Sequence, residues 1–271
     1  MNGLSLLRAA AANPGLVLHQ HNLFLLSHMR ANTSLFGHLL GSHAEIEGYY
    51  EMHIGYHSWK SLWRQKLLHF RHHRPKPQAR YMFDKLLHDG HAMAPGVLCG
   101  PRVRAVFMLR EPEQSIKSLV ALYRERSPHL PEATPDGATA YYVQRLHTLE
   151  HLAATLGPRY FYLDAEALIE RTDAALAALT RWLQLSSPLS STYETFAMTG
   201  QRNAGDPSTR LKSGRVQRGG RDYRDIALDP GLLDAARQAH QRGRAALVAG
   251  SQAHVVWPEA QAASVPHPPS A

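Results

Sequence analysis

The 271-residue sequence contains a single cysteine, Cys99, which excludes an internal disulfide and any cysteine-based metal cluster. No apolar run approaches the ~18 residues that a membrane-spanning helix needs. The N-terminal segment has one arginine, an alanine patch and an early Asn-Pro-Gly turn at 13–15, so it lacks the pattern of a secretory signal peptide. We therefore expect a cytoplasmic protein without a transmembrane segment.

Metal-ligand motifs are also lacking. The 18 histidines are scattered along the chain, and no H-E-x-x-H motif occurs. The adjacent pair His72 and His73 lies in a basic stretch and is expected to be solvated. We expect no metal site.

Positive charge, by contrast, is in excess. The formal net charge is +8 and the sequence pI is about 9.7. A nucleic acid, an acidic lipid surface and a charged small molecule would all fit as anionic partners. The densest cationic run, R-H-H-R-P-K-P at 71–77, is interpreted as a solvated loop, with binding of nucleic acid or of a phosphorylated headgroup as the alternative.

Apolar runs with strand character alternate with segments of helical periodicity. Strands are predicted at 23–26, 80–87, 102–109 and 160–163, with a further short one within 45–50. Helices are predicted at 33–41, 58–70, from 112 onward, and at 138–156, 174–185 and 231–249. This alternation predicts a three-layer α/β fold, in which helices flank a central parallel sheet of about four to five strands. We expect a lead-in at 1–21, one domain at 22–250 and a disordered Pro/Ala-rich tail at 258–271.

One strand-turn-helix unit near the N-terminus is typical of an anion site. The apolar run 23–26 is followed by a polar turn that carries Arg30, and then by a helix that begins with Thr33 and Ser34. The first N–H groups of a helix have no partners within it, and the helix dipole adds positive charge there. With Arg30 and the two hydroxyls, this unit would hold a phosphate or a sulfate. A plain strand-turn-helix in which a hydroxyl only caps the helix is the alternative.

The same residues resemble a known family. The turn contains neither G-x-x-x-x-G-K-[ST] nor G-x-G-x-x-G, which argues against an ordinary ATP or NAD site. R-A-N-T-S-L at 30–35 instead resembles the 5′-phosphosulfate loop of sulfotransferases, [R/K]-x-G-[ST]-[ST]-L. These enzymes use 3′-phosphoadenosine 5′-phosphosulfate (PAPS), and the resemblance implies a P-loop-NTPase-like sulfotransferase fold. It also implies that the donor is bound by Arg30, Ala31, Asn32, Thr33, Ser34 and Leu35.

The main departure from the family pattern is Asn32, which stands where a glycine is usual. Asn adopts left-handed backbone more readily than most residues, so we expect the loop to form. The alternative is a backbone that lies farther from the ligand and binds it less well.

A second motif, R-E-P-x5-S at 110–118, follows a predicted strand. An arginine fork binds phosphate in bidentate fashion, and a serine on the following helix adds a neutral donor. The motif resembles the sulfotransferase signature that holds the 3′-phosphate, which implies that role for Arg110 and Ser118. Ser115 is a rival for the hydroxyl role. An ordinary ion pair with a neighbouring glutamate is the alternative for Arg110.

Two later segments extend the resemblance over about residues 20–220. F-Y-L-D-A-E-A-L at 161–168 resembles a mostly structural region of the family. G-D-P-S-x3-K-x-G-R at 205–215 resembles the basic loop that closes over the 3′-phosphate, which implies donor contacts for Lys212 and Arg215. A solvated basic loop fits these two residues equally well.

Glu51 is our candidate for the catalytic base. It lies 21 residues after Arg30, the spacing that tyrosylprotein-type sulfotransferases show, and 43–51 aligns with their pattern without a gap. Nearby cations hold down the pKa of a carboxylate, so Glu51 must be buried to be basic enough. His53 and His88 are rivals, because cytosolic sulfotransferases use a histidine.

Lys85 resembles the strand-end lysine that steadies the sulfate in this family, with a salt bridge to Asp84 as the alternative. With Arg30 it would neutralise charge in an in-line sulfuryl transfer from PAPS to a hydroxyl. The acceptor would be a small molecule, a carbohydrate or a lipid, with no metal and no nucleic acid involved. Five aromatic residues are candidates either for an acceptor wall or for the core: Tyr49, Tyr50, Tyr56, Trp59 and Trp63.

Two other functions are alternatives. A nucleotide phosphotransferase would need Mg²⁺ and a P-loop Lys-Ser/Thr pair, which is absent here. A non-catalytic protein that binds nucleic acid or lipid would use the basic stretch 60–80. The sequence favours the sulfotransferase, because Arg30, Lys85 and Arg110 all fall at the carboxyl ends of predicted parallel strands, where such sheets bind ligands.

Overall fold

The computed structural model describes residues 21–197, 199, 210–219 and 222–258. Within these residues the strands are β1 (His21–Ser27), β2 (Ile46–Glu47), β3 (Tyr81–Leu86), β4 (Val103–Leu109), β5 (Tyr160–Asp164) and β6 (Ala253–Val255). They form one sheet in the order β2-β3-β1-β4-β5-β6, and each adjacent pair is parallel. The predicted α/β class and the parallel sheet are confirmed.

The helices of the described chain connect these strands. They are α1 (Thr33–Gly41), α2 (Trp59–His69), α3 (Pro95–Leu98), α4 (Pro112–Arg126), α5 (Pro135–Leu156), α6 (Ala165–Glu170), α7 (Thr172–Leu183) and α8 (Pro230–Ala249). Single 3₁₀ turns occur at Pro131–Ala133 and Leu211–Ser213.

The central strand β1 explains why the apolar run is continuous. Leu23 and Leu25 pack into one core with residues of α1 and α7. Phe24 and Leu26 point to the opposite face, into a second core that includes residues of α4, α5 and α8. Successive side chains of a strand alternate between faces, so a strand covered on both faces must be apolar at every position.

The topology places the candidate residues together. The chain runs from β1 outward to β2 and β3 on one side, and then crosses to β4 and β5 on the other. The carboxyl ends of β1 and β4 therefore lie at the point where the strand order switches, which is where open α/β sheets form their ligand crevice.

Several boundaries differ from the prediction. Helix α5 begins three residues early, at Pro135, because the Thr134 hydroxyl caps it by accepting a hydrogen bond from the Gly137 N–H at 3.1 Å. The segment 165–183 forms two helices in place of one. Strand β6 is not predicted, and it lies beyond the expected domain limit at 250, where it pairs with β5.

Four further predictions concern the two ends of the chain, the segment 205–208 and the membrane. The lead-in at 1–20 and the tail from 259 onward lie outside the described residues, as do the glycine, acid, proline and serine at 205–208. Among the residues that the structure describes, no helix is long and apolar enough to cross a membrane.

Candidate active site at the carboxyl ends of the strands

The turn after β1 adopts an unusual backbone. Arg30 has φ = 67° and Asn32 has φ = 56°, both in the left-handed region that is costly for most side chains. Asn32 directly precedes α1, and its side-chain amide donates to the Ala165 carbonyl oxygen at 3.4 Å. The turn therefore forms with Asn in place of Gly, and the first residues of α1, Thr33 to Leu35, line the crevice.

The predicted loop and the second motif meet in space. The Arg30 Nε–H donates to the Ser118 hydroxyl at 2.8 Å, and the Arg110 guanidinium donates to the Arg30 carbonyl oxygen at 3.0 Å. Ser118 also shares a 2.9 Å hydrogen bond with the Tyr223 hydroxyl. Ser115 is committed elsewhere, since its hydroxyl donates to the Glu111 carbonyl oxygen at 2.7 Å. Of the two rival serines, Ser118 is thus the one beside the predicted arginines.

A buried histidine ties these two loops together. The main-chain N–H of Arg110 donates to Nε2 of His28 at 3.0 Å, and His28 Nδ1 lies 2.8 Å from the Met29 carbonyl oxygen. This pair of contacts requires the neutral Nδ1–H tautomer. Burial lowers the pKa of His28 to about 3, so the ring is neutral across the physiological range. Sequence reasoning did not identify this residue.

A large cavity of about 710 Å³ opens in front of the α1 N-terminus. Its walls carry the predicted Arg30, Arg110 and Arg215, and they also carry Arg210 and Arg224, which the sequence analysis did not single out. Lys212 is exposed and is not part of this wall. Ala31 is fully buried in the core and lines neither this cavity nor the smaller one that adjoins it.

The large cavity also contains acids. Glu166 lies 3.9 Å from the Arg110 guanidinium and accepts the Glu111 N–H at 3.1 Å. Burial raises the pKa of Glu166, which reduces its repulsion of an anion. Glu111 itself caps α4 by accepting the N–H groups of Glu113 and Gln114. Part of the negative charge is therefore already engaged within the protein.

A small cavity of about 290 Å³ adjoins the large one. Both cavities are lined by Arg30, Thr33 and Ser34, so the loop after β1 forms a wall that they share. Lys85 also lines the small cavity, and its ammonium lies 3.3 Å from the Ser34 hydroxyl, to which it donates. This arrangement of two cavities across one cationic wall is the main feature of the site.

Glu51 lies in the small cavity and is largely buried, with 9% of its surface exposed. Burial raises the pKa of its carboxyl, although the charges of Lys85 and His53 act in the opposite direction. This is the environment that a carboxylate base requires. Its Oε1 atom is buried without a hydrogen-bond partner among the described residues.

Both histidine rivals lie beside Glu51. His53 Nδ1 is 3.7 Å from Glu51 Oε1, and His88 Nε2 is 3.6 Å from the same atom. Burial lowers the pKa of His88 to about 4, helped by His91 and His53, so His88 is neutral at pH 7. The sequence analysis found no metal-ligand spacing, yet the fold brings potential ligand atoms of Glu51, His53, His88 and His91 within 4.8 Å of one another.

Asp84 positions the segment that carries Glu51 and His53, and also the backbone of Lys85. One carboxylate oxygen accepts the main-chain N–H groups of Met52 at 3.1 Å and Lys85 at 2.8 Å, and the other accepts the Tyr56 hydroxyl at 2.5 Å. Asp84 thereby fixes the backbone between Glu51 and His53 to β3. Burial raises its pKa to about 7 in spite of these hydrogen bonds.

Arg145, from α5, is a second buried support that the sequence analysis missed. Its guanidinium donates to the carbonyl oxygens of Ser27 at 2.9 Å and Leu86 at 2.8 Å, at the ends of β1 and β3. It also pairs with Asp89 at 2.6 Å, within the turn that carries His88. A single polar residue in a helical pattern gives no signal of such a role.

The five candidate aromatic residues do not line the small cavity. The three tyrosines, Tyr49, Tyr50 and Tyr56, are buried in the core. Trp59, a candidate for the core or for an acceptor wall, is 64% exposed and belongs to neither. The apolar lining comes from other residues, which follow β1 and β3 or belong to α4 and the segment after it: Met29, Leu87, Leu122, Tyr123 and Leu130.

The basic stretch is partly internal. The Lys76 ammonium donates to the carbonyl oxygens of Gly41, His43 and Ile46, and Arg80 pairs with Glu45 at 2.8 Å. These two cations stabilise the region around β2. They are therefore less available to a polyanion than the cations of a solvated loop would be.

Solved structures of other proteins share this fold, whereas comparisons of the sequence found no match. No family model and no curated protein matches the sequence. Among solved structures, the chain is similar to the sulfotransferase domain from the curacin biosynthetic pathway, with a TM-score of 0.59 and 17% identity over 83% of this chain and 97% of that one. The sulfotransferase domain from the Synechococcus PCC 7002 olefin synthase gives a TM-score of 0.58 and 17% identity, over 83% and 94% of the two chains. The chain thus has the fold of sulfotransferase domains.

Proposed function

We propose that this protein is a PAPS-dependent sulfotransferase that transfers the sulfuryl group to a hydroxyl of a small, largely apolar acceptor. The observation that carries the proposal is the wall that the two cavities share. A donor in the large cavity and an acceptor in the small one would meet at Arg30, Thr33 and Ser34. Transfer between two bound molecules needs this kind of juxtaposition.

The large cavity suits the donor nucleotide. A volume of about 710 Å³ is ample for a nucleotide. The N-terminus of α1 and the five arginines in the walls of the cavity suit a polyanion. In the proposal, the 5′-phosphosulfate lies on the α1 N-terminus with Arg30, and the 3′-phosphate lies near Arg110 and Ser118. The donor supplies the sulfuryl group. The residues of the chain bind it, orient it and neutralise its charge.

The small cavity suits the chemistry of the acceptor. Glu51 takes the proton from the acceptor hydroxyl, because it is a buried carboxylate in the cavity that adjoins the loop. Lys85, hydrogen-bonded to Ser34, neutralises the negative charge that develops on the group being transferred. His53 and His88 lie within 4 Å of Glu51 and are the residues to test if Glu51 is not the base.

The acceptor class follows from the lining of the small cavity. Four apolar side chains line it: Met29, Leu87, Leu122 and Leu130. Arg126, from α4, adds a cation to the lining. A cavity of about 290 Å³ has room for a small molecule or one end of a longer chain. We therefore favour an acceptor that joins an apolar portion to a hydroxyl, because these apolar side chains lie in the same cavity as polar groups such as Glu51 and Lys85.

Calorimetric titration with 3′,5′-adenosine bisphosphate, ATP–Mg²⁺ and 5′-AMP tests the donor class. We expect tight binding of the bisphosphate and at least about tenfold weaker binding of the other two, since only the bisphosphate presents both phosphates. Preference for ATP–Mg²⁺ would overturn the proposal in favour of a phosphotransferase. Binding of none of them, together with salt-dependent binding of nucleic acid or anionic vesicles, would favour the basic-binder alternative.

A further inference from the structure

The carboxyl end of β3 carries a group of residues that sulfuryl transfer does not account for. Three imidazole rings converge there: the ring centroids of His53 and His91 are 5.7 Å apart, those of His88 and His91 are 4.6 Å apart, and those of His53 and His88 are 6.4 Å apart. Glu51 lies against two of these rings. A single base would not require three histidines.

The distances match a metal site that needs little rearrangement. Zinc bonds of 2.0–2.1 Å place the ligand atoms of a tetrahedral site about 3.3 Å apart. The Glu51 Oε1 atom lies 3.7 Å from His53 Nδ1 and 3.6 Å from His88 Nε2. All four residues offer ligand atoms within 4.8 Å of one another. Shifts of a few tenths of an ångström to about 1 Å would bring them to bonding distance.

A second observation also points to a ligand. The Oε1 atom of Glu51 is buried, faces this group of rings and has no hydrogen-bond partner among the described residues. A buried carboxylate oxygen without a partner is costly, because it has lost its hydration without compensation. A cation held by the rings and this oxygen would supply the missing interaction.

The backbone that carries these residues is firmly held. Met52, between Glu51 and His53, is fixed by its N–H bond to Asp84. Asp89, between His88 and His91, is fixed by Arg145 at 2.6 Å and by the Thr148 hydroxyl at 3.1 Å. Metal ligands are effective when such second contacts orient them.

We propose that Glu51, His53, His88 and His91 form a binding site for a divalent transition-metal ion, with Zn²⁺ as the preferred ion. Three nitrogens and one carboxylate oxygen are a donor set that favours Zn²⁺ over Mg²⁺ or Ca²⁺, which prefer oxygen ligands. The positive charge of the Lys85 ammonium interacts with the same carboxylate and would repel a bound cation. We therefore expect Zn²⁺ binding in the micromolar range, weaker than that of a closed structural site.

The effect of this metal site on catalysis rests on the proposed function. A metal ion bound to Oε1 withdraws Glu51 from proton transfer and occupies part of the small cavity. Zn²⁺ would then inhibit transfer without displacing the nucleotide from the large cavity. The site would make the enzyme sensitive to free zinc.

The test is a calorimetric titration of the metal-free protein with Zn²⁺, with Mg²⁺ as the comparison ion and Co²⁺ absorption as the report on geometry. We expect one Zn²⁺ per chain, no binding of Mg²⁺ and the visible spectrum of tetrahedral Co²⁺. The double variant His88→Ala, His91→Ala should bind Zn²⁺ on the order of 100-fold more weakly.

Two further variants make the test decisive. His147→Ala, His151→Ala removes two exposed histidines spaced one turn apart on α5, and it should keep the affinity of the parent protein. His53→Asn removes one ligand and preserves the left-handed backbone at this position (φ = 52°), so it should weaken Zn²⁺ binding at least about tenfold even if the double variant fails to fold. Absence of Zn²⁺ binding, an equal loss in the α5 variant, or unchanged affinity in His53→Asn would overturn the proposal.

Binding of 3′,5′-adenosine bisphosphate is measured separately on the same samples. Zinc binding without nucleotide binding would retain the metal site and refute the proposed function. Nucleotide binding without zinc binding would refute only the metal site.

Discussion

The buried carboxylate of Glu51 lies in the small cavity, and its Oε1 atom has no hydrogen-bond partner among the described residues. The Glu51→Gln variant keeps the shape of the side chain and removes its ability to accept a proton. We expect turnover to fall by ~10² or more with unchanged affinity for 3′,5′-adenosine bisphosphate, because the proposed nucleotide contacts lie in the other cavity. Steady-state kinetics and calorimetry measure the two quantities.

Unchanged turnover in Glu51→Gln would move the base to His53 or His88. Both residues lie within 4 Å of Glu51, and burial lowers the pKa of His88 to about 4. The single variants His53→Asn and His88→Gln would then separate the two.

Arg110 and Ser118 allow a test of the proposed 3′-phosphate site. Replacing both with alanine should weaken binding of 3′,5′-adenosine bisphosphate on the order of 100-fold, since a charge-assisted and a neutral hydrogen bond are lost together. The affinity for 5′-AMP should change little. Arg126→Ala is the matched control, because it removes a cation from the small cavity alone. An equal loss for 5′-AMP would count against the assigned role.

Asp84 gives the protein a pH dependence of stability whose sign can be derived. Its pKa is raised by burial to about 7, so the folded protein holds the proton more tightly than the unfolded chain. The contribution to stability is fully present below the unfolded pKa of about 4, and is lost as the pH rises through 7. Asp84→Asn mimics the protonated acid and does not titrate.

We therefore expect the free energy of unfolding of Asp84→Asn, relative to the parent protein, to rise by a few kcal/mol between pH 5 and pH 8. Urea unfolding at several pH values measures this difference, and contributions from other groups cancel. Parallel pH profiles for the two proteins would contradict the assignment.

At the scale of elements, the loop that leads into α1 depends on left-handed backbone at Asn32. Alanine at this position adds about 1 kcal/mol of strain, whereas glycine adopts the conformation freely. We expect Asn32→Ala to lower the free energy of unfolding by about that amount. Asn32→Gly should stay within about 0.5 kcal/mol, because relief of strain is offset by the greater freedom of the unfolded chain. Chemical denaturation that found the two variants equally stable would be inconsistent with this explanation.

The strands and helices also show which structural elements can be predicted from sequence patterns. The strands β1, β3 and β4 and the helix starts at Thr33 and Pro112 were predicted closely, because apolar runs and capping residues are local signals. The short edge strand β6 was not predicted. Three half-exposed residues have no distinctive pattern, and their conformation depends on β5, almost 100 positions away.

At the scale of the whole molecule, the C-terminal segment is part of the site, although it lies outside the segment that resembles the family. Arg244 from α8 holds Asp164 through contacts of 2.7–3.1 Å, and Asp164 also accepts the Trp257 N–H at 2.7 Å. Trp257 in turn lines the large cavity. The end of β5, α8 and the segment after β6 are thereby joined beside the large cavity.

Arg244→Met should therefore reduce both stability and nucleotide affinity. Asp164 would remain buried without its partner, at a cost of roughly 3 kcal/mol, and Trp257 would lose its anchor. Arg242→Met is the matched control, since that arginine is exposed on the same helix. Thermal unfolding and calorimetry with 3′,5′-adenosine bisphosphate measure both effects. A loss in the control as large as that in Arg244→Met would point to helix α8 rather than to the link.

The sequence by itself determined the α/β class, the parallel central strands and the start of helix α1 at Thr33. These depend on local periodicity, on helix capping and on short motifs that are contiguous in the chain. The tertiary structure decided which of these residues meet: it set Ser118 beside Arg30, buried Glu51 next to Lys85, and gathered three histidines at one strand end. Those contacts join positions separated by between 2 and 88 residues, and only the packing of the sheet and its helices fixes the distances between them.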